Sequence, residues 1–388
     1  MIGSIGTPMG SDVSAFADFS TAIEAIGNSL GSHDPGGAVL RVFRDTPLGA
    51  RTTYRVGGNA SLLVEVESTA ALEEVQGALV EATFRTGKGV PLLVLGKGSN
   101  MLVSDAGFPG VVLVLVGEFD SVEIAGTTVR AGGATGMQAL ARQSATEGLG
   151  GFEWAVGIPG SVGGAVRMNA GGHGSEMADV LTVASVFDLC TGDVSSRSVA
   201  ELETGYRHSS LASNDVVTRA EIRLQRVDPA EALERVGEIV RWRKTNQPGG
   251  SNAGSVFTNP QHDSAGRLID AAGLKGSRIG TAAVSPKHAN FFQADRHGSA
   301  EDVRALIEKV RNTVAGRFGI ELVPELRMIG FAGERLPMFE PSTSTSGSDS
   351  GSSPGPRHGS GPGPVGSLTD VDPRREGDRG ANSEGNSS

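Results

Sequence analysis

The chain has 388 residues, enough for two or three domains, and its 57 glycines are about twice the ordinary share. A net charge of −10 argues against a nucleic-acid binder, which needs a basic face, and the single Cys190 excludes an intramolecular disulfide or a cysteine-cluster metal site. The longest apolar run, Val111–Val116, falls far short of the ~20 residues of a membrane helix; with Arg41 the first Lys or Arg, no secretory leader is expected, and a reducing cytoplasm fits.

Residues 1–40 are rich in Gly and Ser and read as an unfolded extension, where only Ser14–Leu30 offers a short helix. Ser61–Glu67 and Val90–Leu95 read as strands flanking a helix over Thr69–Phe84, with Leu72, Val75 and Leu79 on one face. Val111–Val116 is a buried strand. Val122–Ala125 and Thr128–Ala131 form a hairpin around Gly126-Thr127. Thr135 with Gln138 spells a capping box for a helix that stops at Gly148. Val183–Leu189 turns through Thr191-Gly192 into Val194. In Val216–Leu224, Val216, Ala220, Ile222 and Leu224 alternate with Arg219, Glu221 and Arg223.

A new unit begins at Asp228, with a proline at the first helical position and a stripe of Leu233, Val236 and Val240. Gln247–Gly250 reads as a linker. Ser299 starts a second helix carrying Val303, Leu306, Ile307, Val310 and Val314, which Gly319 ends. Ile320–Ile329 reads as a strand. Residues 341–388 are dominated by Ser, Gly and Pro and lack Ile, Phe, Tyr, Trp and Met, so they are expected to be a disordered tail. The pattern is α+β in several small layers rather than the long alternation of a doubly wound sheet.

Two glycine-rich stretches could carry chemistry. Gly96, Lys97, Gly98, Ser99 and Asn100 follow a strand, where bare backbone N–H groups can approach an anion. The stretch matches neither the Walker nor the G-x-G-x-x-G spacing, so a phosphate cradle and a plain tight turn both stay open. Gly157, Ile158, Gly160, Ser161, Gly163 and Gly164 make a second donor surface around Pro159. Two such cradles suit a pyrophosphate held between subdomains; a glycine-rich loop without a ligand is the alternative. Three polar residues stand apart: Arg207 after Tyr206, Ser255 in a glycine-rich turn, and Glu325 on the last strand. Taken singly, each has a plain reading as a salt bridge, a turn residue or a partner for Arg327. The histidines show no i, i+3 or i, i+4 pair, so no metal site is expected. Trp154 and Trp242 read as packing or pocket walls.

Taken in order, seven blocks resemble the UDP-N-acetylenolpyruvoylglucosamine reductase family of peptidoglycan-precursor flavoenzymes. They are Thr53–Gly58, Gly96–Leu102, Gly157–Gly171, Tyr206–Ser209, Ala253–Pro260, Val284–Phe291 and Pro324–Gly330, and they span most of Arg41–Gly330. The resemblance implies a two-subdomain vanillyl-alcohol-oxidase/PCMH-type FAD-binding fold plus a smaller α/β substrate-binding domain. Its units would be 41–110, 111–226 and 227–331. The short spacing after Pro260 is similar to the branch without a substrate-gating insertion. The implied activity is NADPH-dependent reduction of UDP-N-acetylglucosamine enolpyruvate to UDP-N-acetylmuramate through non-covalent FAD. That activity serves the cell wall, hence cell shape and division. A cytoplasmic monomer without nucleic-acid or membrane partners is expected.

By motif, Arg207, Ser255 and Glu325 are the implied catalytic residues. Gly96–Asn100 and Gly157–Gly164 are the implied FAD contacts, and Tyr206, Lys287 and Asn290 join the trio as implied substrate contacts. The chain departs from the family pattern at Gly280-Thr281, where two glycines are usual, and at Asp45-Thr46, where Asn-Thr is frequent. The alternatives are another FAD-dependent oxidase or dehydrogenase on the same fold, and a flavin-binding protein without turnover.

Overall fold

Val- and Leu-rich segments after residue 40 pair into a first sheet. The structure, a computed structural model, describes residues 19–31 and 40–341; the expectations for the tail beyond 341 and for residues 1–18 lie outside these. Strands β1 (Leu40–Pro47), β2 (Asn59–Val66), β3 (Val90–Leu95) and β5 (Phe108–Leu115) lie in the order β1-β2-β5-β3, closed by Met338–Phe339. β5 runs parallel to both β2 and β3. It is continuous from Phe108, so the boundary expected at 110/111 cuts through a strand of this sheet.

Helix α2 (Thr69–Thr86) covers the sheet with Leu72, Val75 and Leu79 fully buried, as the spacing predicts. Ser68 caps its start and Gly87, at φ 68°, ends it in the left-handed conformation a glycine tolerates. Helix α1 (Ser20–Gly31) forms where Ser14–Leu30 offers a short helix, and over those residues it corrects the reading as unfolded. Its Ile23, Ile26 and Leu30 recur at helical spacing and are buried in the same core as α2.

The second sheet is antiparallel throughout. It comprises β6 (Val122–Ala125), β7 (Thr128–Gly132), β8 (Leu181–Asp188), β9 (Val194–Ser198) and β10 (Asp215–Arg223), in the order β9-β8-β10-β7-β6. Both expected hairpins form, turning at Gly126 (φ 64°) and Gly192 (φ 81°). The alternation expected along β10 breaks at Thr218, where the register with β8 shifts. The extra residue flips the facing. Val217, Ala220, Ile222 and Leu224 share one core, whereas Val216 packs with Phe187 in the core of the first sheet.

Two helices differ from expectation. α3 (Met137–Thr146) lacks the Thr135–Gln138 capping box: no side chain caps it, and the Gln138 amide donates to Val156 O at 3.1 Å. The loop before Gly157 is close enough to claim that amide. α5 (Pro229–Asn246) does start at the Asp228 cap. However, it buries Ala232 and Val236 while Leu233 and Val240 stay 43% and 39% exposed. It belongs to the core of the second sheet, packed on α3, and does not open the third unit.

The third unit surrounds α7 (Ala300–Phe318), whose Val303, Leu306, Ile307, Val310 and Val314 are all buried. A three-stranded sheet, Arg278–Ile279, Ala282–Val284 and Phe292–Ala294, and helix α6 (Ala265–Ala271) pack against it. At the departure Gly280-Thr281, the Thr281 N–H and hydroxyl both donate to Asp302 Oδ2 at 2.7 Å, and Thr281 Oγ1 accepts from Ser299 N at 2.8 Å. The hydroxyl therefore braces the start of α7, and the Thr281 N–H, followed by its hydroxyl, holds the Asp302 carboxyl below the usual range. Only Arg327–Ile329 of the expected Ile320–Ile329 strand forms, parallel to β4 (Met101–Val103). Pro324 has no N–H for a ladder, and residues 320–326 run irregularly. Leu322 and Leu326 remain buried in the third core.

Candidate active site

The three layers meet around a cleft of about 1020 Å³. Its first wall is the loop after β3. Gly98 sits at φ 62°, where a Cβ would lie 2.5 Å from Arg51 O, and its carbonyl accepts from Thr53 N at 3.1 Å. Only glycine takes this path without strain. The second wall is the stretch from Gly157 through the short helix α4 (Val162–Arg167). Ser161 caps α4 by accepting from Gly164 N at 3.3 Å. A Cβ on Gly160 (φ 143°) would lie 3.0 Å from Ser99 Oγ, and one on Gly163 would lie 3.0 Å from Gly133 O.

The two glycine stretches therefore face each other. All eleven expected cofactor residues, Gly96–Asn100 with Gly157, Ile158, Gly160, Ser161, Gly163 and Gly164, line the cleft. This is a cradle that side chains would fill, and its size and bare backbone suit a dinucleotide such as FAD. Asn100 also ties this wall to the segment from Glu325 to Arg327. Its amide donates to Glu325 O at 3.1 Å, and its carbonyl accepts from Arg327 N at 3.2 Å.

Arg207, Ser255 and Glu325 come from loops far apart in sequence and line the same cleft. Arg207 lies in a tight turn closed by paired Gly205–His208 backbone bonds and adopts φ 56°. The neighbouring Ser209 hydroxyl anchors the turn on Arg167 O at 2.7 Å. Arg207 Nε donates to Glu325 Oε1 at 2.8 Å, and Nη2 donates to Gly171 O at 2.9 Å. The guanidinium stands 5.2 Å over the ring of Tyr206, itself at the cleft edge.

Glu325 donates its N–H to Val256 O at 2.8 Å, one residue from Ser255. Burial pushes the Glu325 carboxyl above the usual carboxylate range, against the opposite pull of Arg207. Ser255 is half-buried and pairs with Phe291 in an isolated bridge. A guanidinium fork, a carboxyl that burial shifts above the usual carboxylate range and a small hydroxyl thus share one cleft.

Two expected substrate contacts lie elsewhere. Lys287 is exposed, outside the cleft lining, and donates to Lys244 O. Asn290 is 2% exposed and also outside the lining; it hydrogen-bonds both backbone groups of Phe257. Other residues line the cleft that motif reading passed over. His173 meets Trp242 edge-to-face at 5.0 Å, and burial with the nearby Arg243 charge pushes the His173 ring below its usual pKa. Arg243 Nε donates to Gln247 Oε1 at 2.8 Å, in the segment read as a linker. The i, i+4 spacing of Arg243 and Gln247 was the available signal, but a helix end facing solvent looks the same in sequence.

The fold and the cleft define an FAD-dependent oxidoreductase with a separate substrate-side unit. The family model for the FAD binding domain matches residues 60–196. The model for the UDP-N-acetylenolpyruvoylglucosamine reductase C-terminal domain matches residues 245–329, beginning as α5 ends. The chain is 40% identical to UDP-N-acetylenolpyruvoylglucosamine reductase 2 of Symbiobacterium thermophilum, over 76% of this chain and 94% of that protein. It is 36% identical to the Bacillus subtilis UDP-N-acetylenolpyruvoylglucosamine reductase, over 75% and 95% of the respective chains. The crystal structure of the Thermus caldophilus UDP-N-acetylenolpyruvylglucosamine reductase superposes with a TM-score of 0.65 at 38% identity, covering 75% of this chain and all of that one. The chain belongs to the UDP-N-acetylenolpyruvoylglucosamine reductase family.

Proposed function

We propose that this chain reduces the enolpyruvyl double bond of UDP-N-acetylglucosamine enolpyruvate to the lactyl ether of UDP-N-acetylmuramate, with NADPH as hydride donor. The observation that carries the reading is the meeting of Arg207, Glu325 and Ser255 in the cleft whose other walls are the two glycine stretches. FAD, when bound, supplies the hydride it has taken from NADPH. Gly96–Asn100 and Gly157–Gly164 would hold it.

The chain's own residues manage charge and proton. Hydride arriving at the outer vinyl carbon pushes negative charge onto the substrate carboxylate. Arg207 carries a permanently charged fork that can turn from Glu325 and Gly171 O to that carboxylate. Glu325 in its neutral form donates to the same group, and burial favours that form. A donor aimed at developing charge is worth roughly 3–4 kcal/mol of barrier. Ser255 then gives its hydroxyl proton to the inner carbon, a transfer a serine can make to a strongly basic centre held within reach. Tyr206, at the cleft edge, guides the nucleotide-sugar.

The product belongs to cell-wall construction, and so to cell shape and division. The reaction runs in the cytoplasm, where NADPH is kept. Among the described residues no helix is long and apolar enough to cross a membrane. The test is NADPH consumption by the purified yellow protein with and without UDP-N-acetylglucosamine enolpyruvate. Substrate-dependent turnover supports the reading; bound flavin with no substrate dependence overturns it.

A further inference from the structure

Asn290 is buried, and its side chain stands in for a neighbouring β-strand. Oδ1 accepts from Phe257 N at 3.0 Å and Nδ2 donates to Phe257 O at 2.8 Å. Its own carbonyl accepts from Val256 N at 2.9 Å. The segment held in this way runs straight on from Ser255. On its other side, Val256 O accepts the Glu325 N–H at 2.8 Å, and Phe257 pairs with Pro324. Ser255 and Glu325 therefore hang from a piece of backbone whose register the Asn290 amide fixes at Phe257, beside backbone bonds from Asn290 O and Val323 O. At this side-chain length an amide offers both a donor and an acceptor without having to take up a proton. Asn290 takes no part in the cleft wall, so it acts only through the residues it holds.

We infer that Asn290 is a positioning residue for the substrate half of the reaction, fixing Ser255 and Glu325 in register; the inference rests on the function proposed above. Misplacement of a reacting group by about 1 Å slows its step by up to about 10²-fold. The flavin's reduction by NADPH needs neither proton donor and is independent of Asn290.

The experiment is stopped-flow flavin absorbance on the FAD-loaded protein, with the two half-reactions followed separately. In Asn290→Ala, reduction by NADPH is expected to stay within about twofold, and reoxidation by UDP-N-acetylglucosamine enolpyruvate to slow by about tenfold or more. A second variant covers the case in which the alanine form does not fold. Asn290→Asp keeps the acceptor but regains the donor only when protonated. Its reoxidation, taken relative to the unaltered protein at each pH, should recover as pH falls. The titratable neighbour is His288, whose Nδ1 accepts from Asn290 N at 3.3 Å; the ratio to the unaltered protein removes the part of its titration common to both proteins. Equal reoxidation in the unaltered and variant proteins overturns the inference. So does parallel loss of both half-reactions, or loss of bound FAD, which would mark a folding role alone. An unaltered protein that NADPH reduces but the substrate cannot reoxidise overturns the functional reading, and this inference with it.

Discussion

The two sides of the cleft are built by opposite means. The glycine wall works by lacking side chains: Gly98 and Gly163 bring backbone close to backbone, and Gly160 comes close to the Ser99 hydroxyl, where a Cβ would intrude. The wall of Arg207, Ser255 and Glu325 works through side chains, each from a different loop, cross-linked by the Arg207–Glu325 ion pair and by backbone bonds to Val256 and Asn100. The first wall is a shape, so damage to it should appear as lost binding. The second is an arrangement of charge and protons, so damage to it should appear as lost rate with binding retained.

The largest effect should separate the walls most sharply. Ser255→Ala should leave flavin reduction by NADPH intact and slow reoxidation by the substrate by about 10²–10⁴-fold. Rapid, full reoxidation in a stopped-flow trace would remove Ser255 from the chemistry. Glu325→Gln keeps a neutral donor but cannot ionise. Because burial raises the Glu325 carboxyl, the acid form persists to higher pH than for an ordinary carboxylate, and reoxidation in the unaltered protein should fall as pH rises through that raised value. The glutamine variant should lose that limb of the pH–rate profile; an unchanged profile would show that another group sets it.

On the glycine wall, Gly98→Ala forces an L-residue into the left-handed region, at about 1–2 kcal/mol, beside Arg51 O. FAD affinity should fall about tenfold or more, with near-normal rates once the site is saturated. A normal affinity by flavin fluorescence titration would mean that the loop does not cradle the cofactor. The smallest effect belongs to Lys287→Ala. Lys287 lies outside the lining, so steady-state kcat/KM should change by less than about twofold. A large rise in KM would return Lys287 to the substrate side.

The same contrast explains how much could be read in advance. Local rules served well where a residue's role is met by its neighbours in sequence. The burial of Leu72, Val75 and Leu79, the turns at Gly126 and Gly192, and the Ser299 and Gly319 ends of α7 all follow from spacing and backbone preference. The glycine stretches were visible because their chemistry is a composition. Local rules failed where a distant element competed for the same group. Val156 O takes the Gln138 amide that a capping box would use, and the register shift at Thr218 turns Val216 toward another core. Likewise α5 packs on α3 with a different stripe from the one its sequence favoured, and α1 is ordered by the core it shares with α2.

By itself the amino-acid sequence determined the α+β layering, the two glycine walls and, through seven motif blocks, the family. The layering and the glycine walls rest on backbone freedom and short-range spacing, which a linear chain carries openly; the family rests on the resemblance of those blocks. Tertiary structure alone decided which polar residues touch. It joined Arg207 to Glu325 across 118 positions, put His173 and Arg243 on the cleft beside Trp242, and left Lys287 and Asn290 outside the cleft lining. Hydrogen bonds and burial between remote segments depend on how three separately cored layers close on one another. A side-chain amide such as that of Asn290 can serve either a substrate or a strand, and only the folded neighbourhood selects between them.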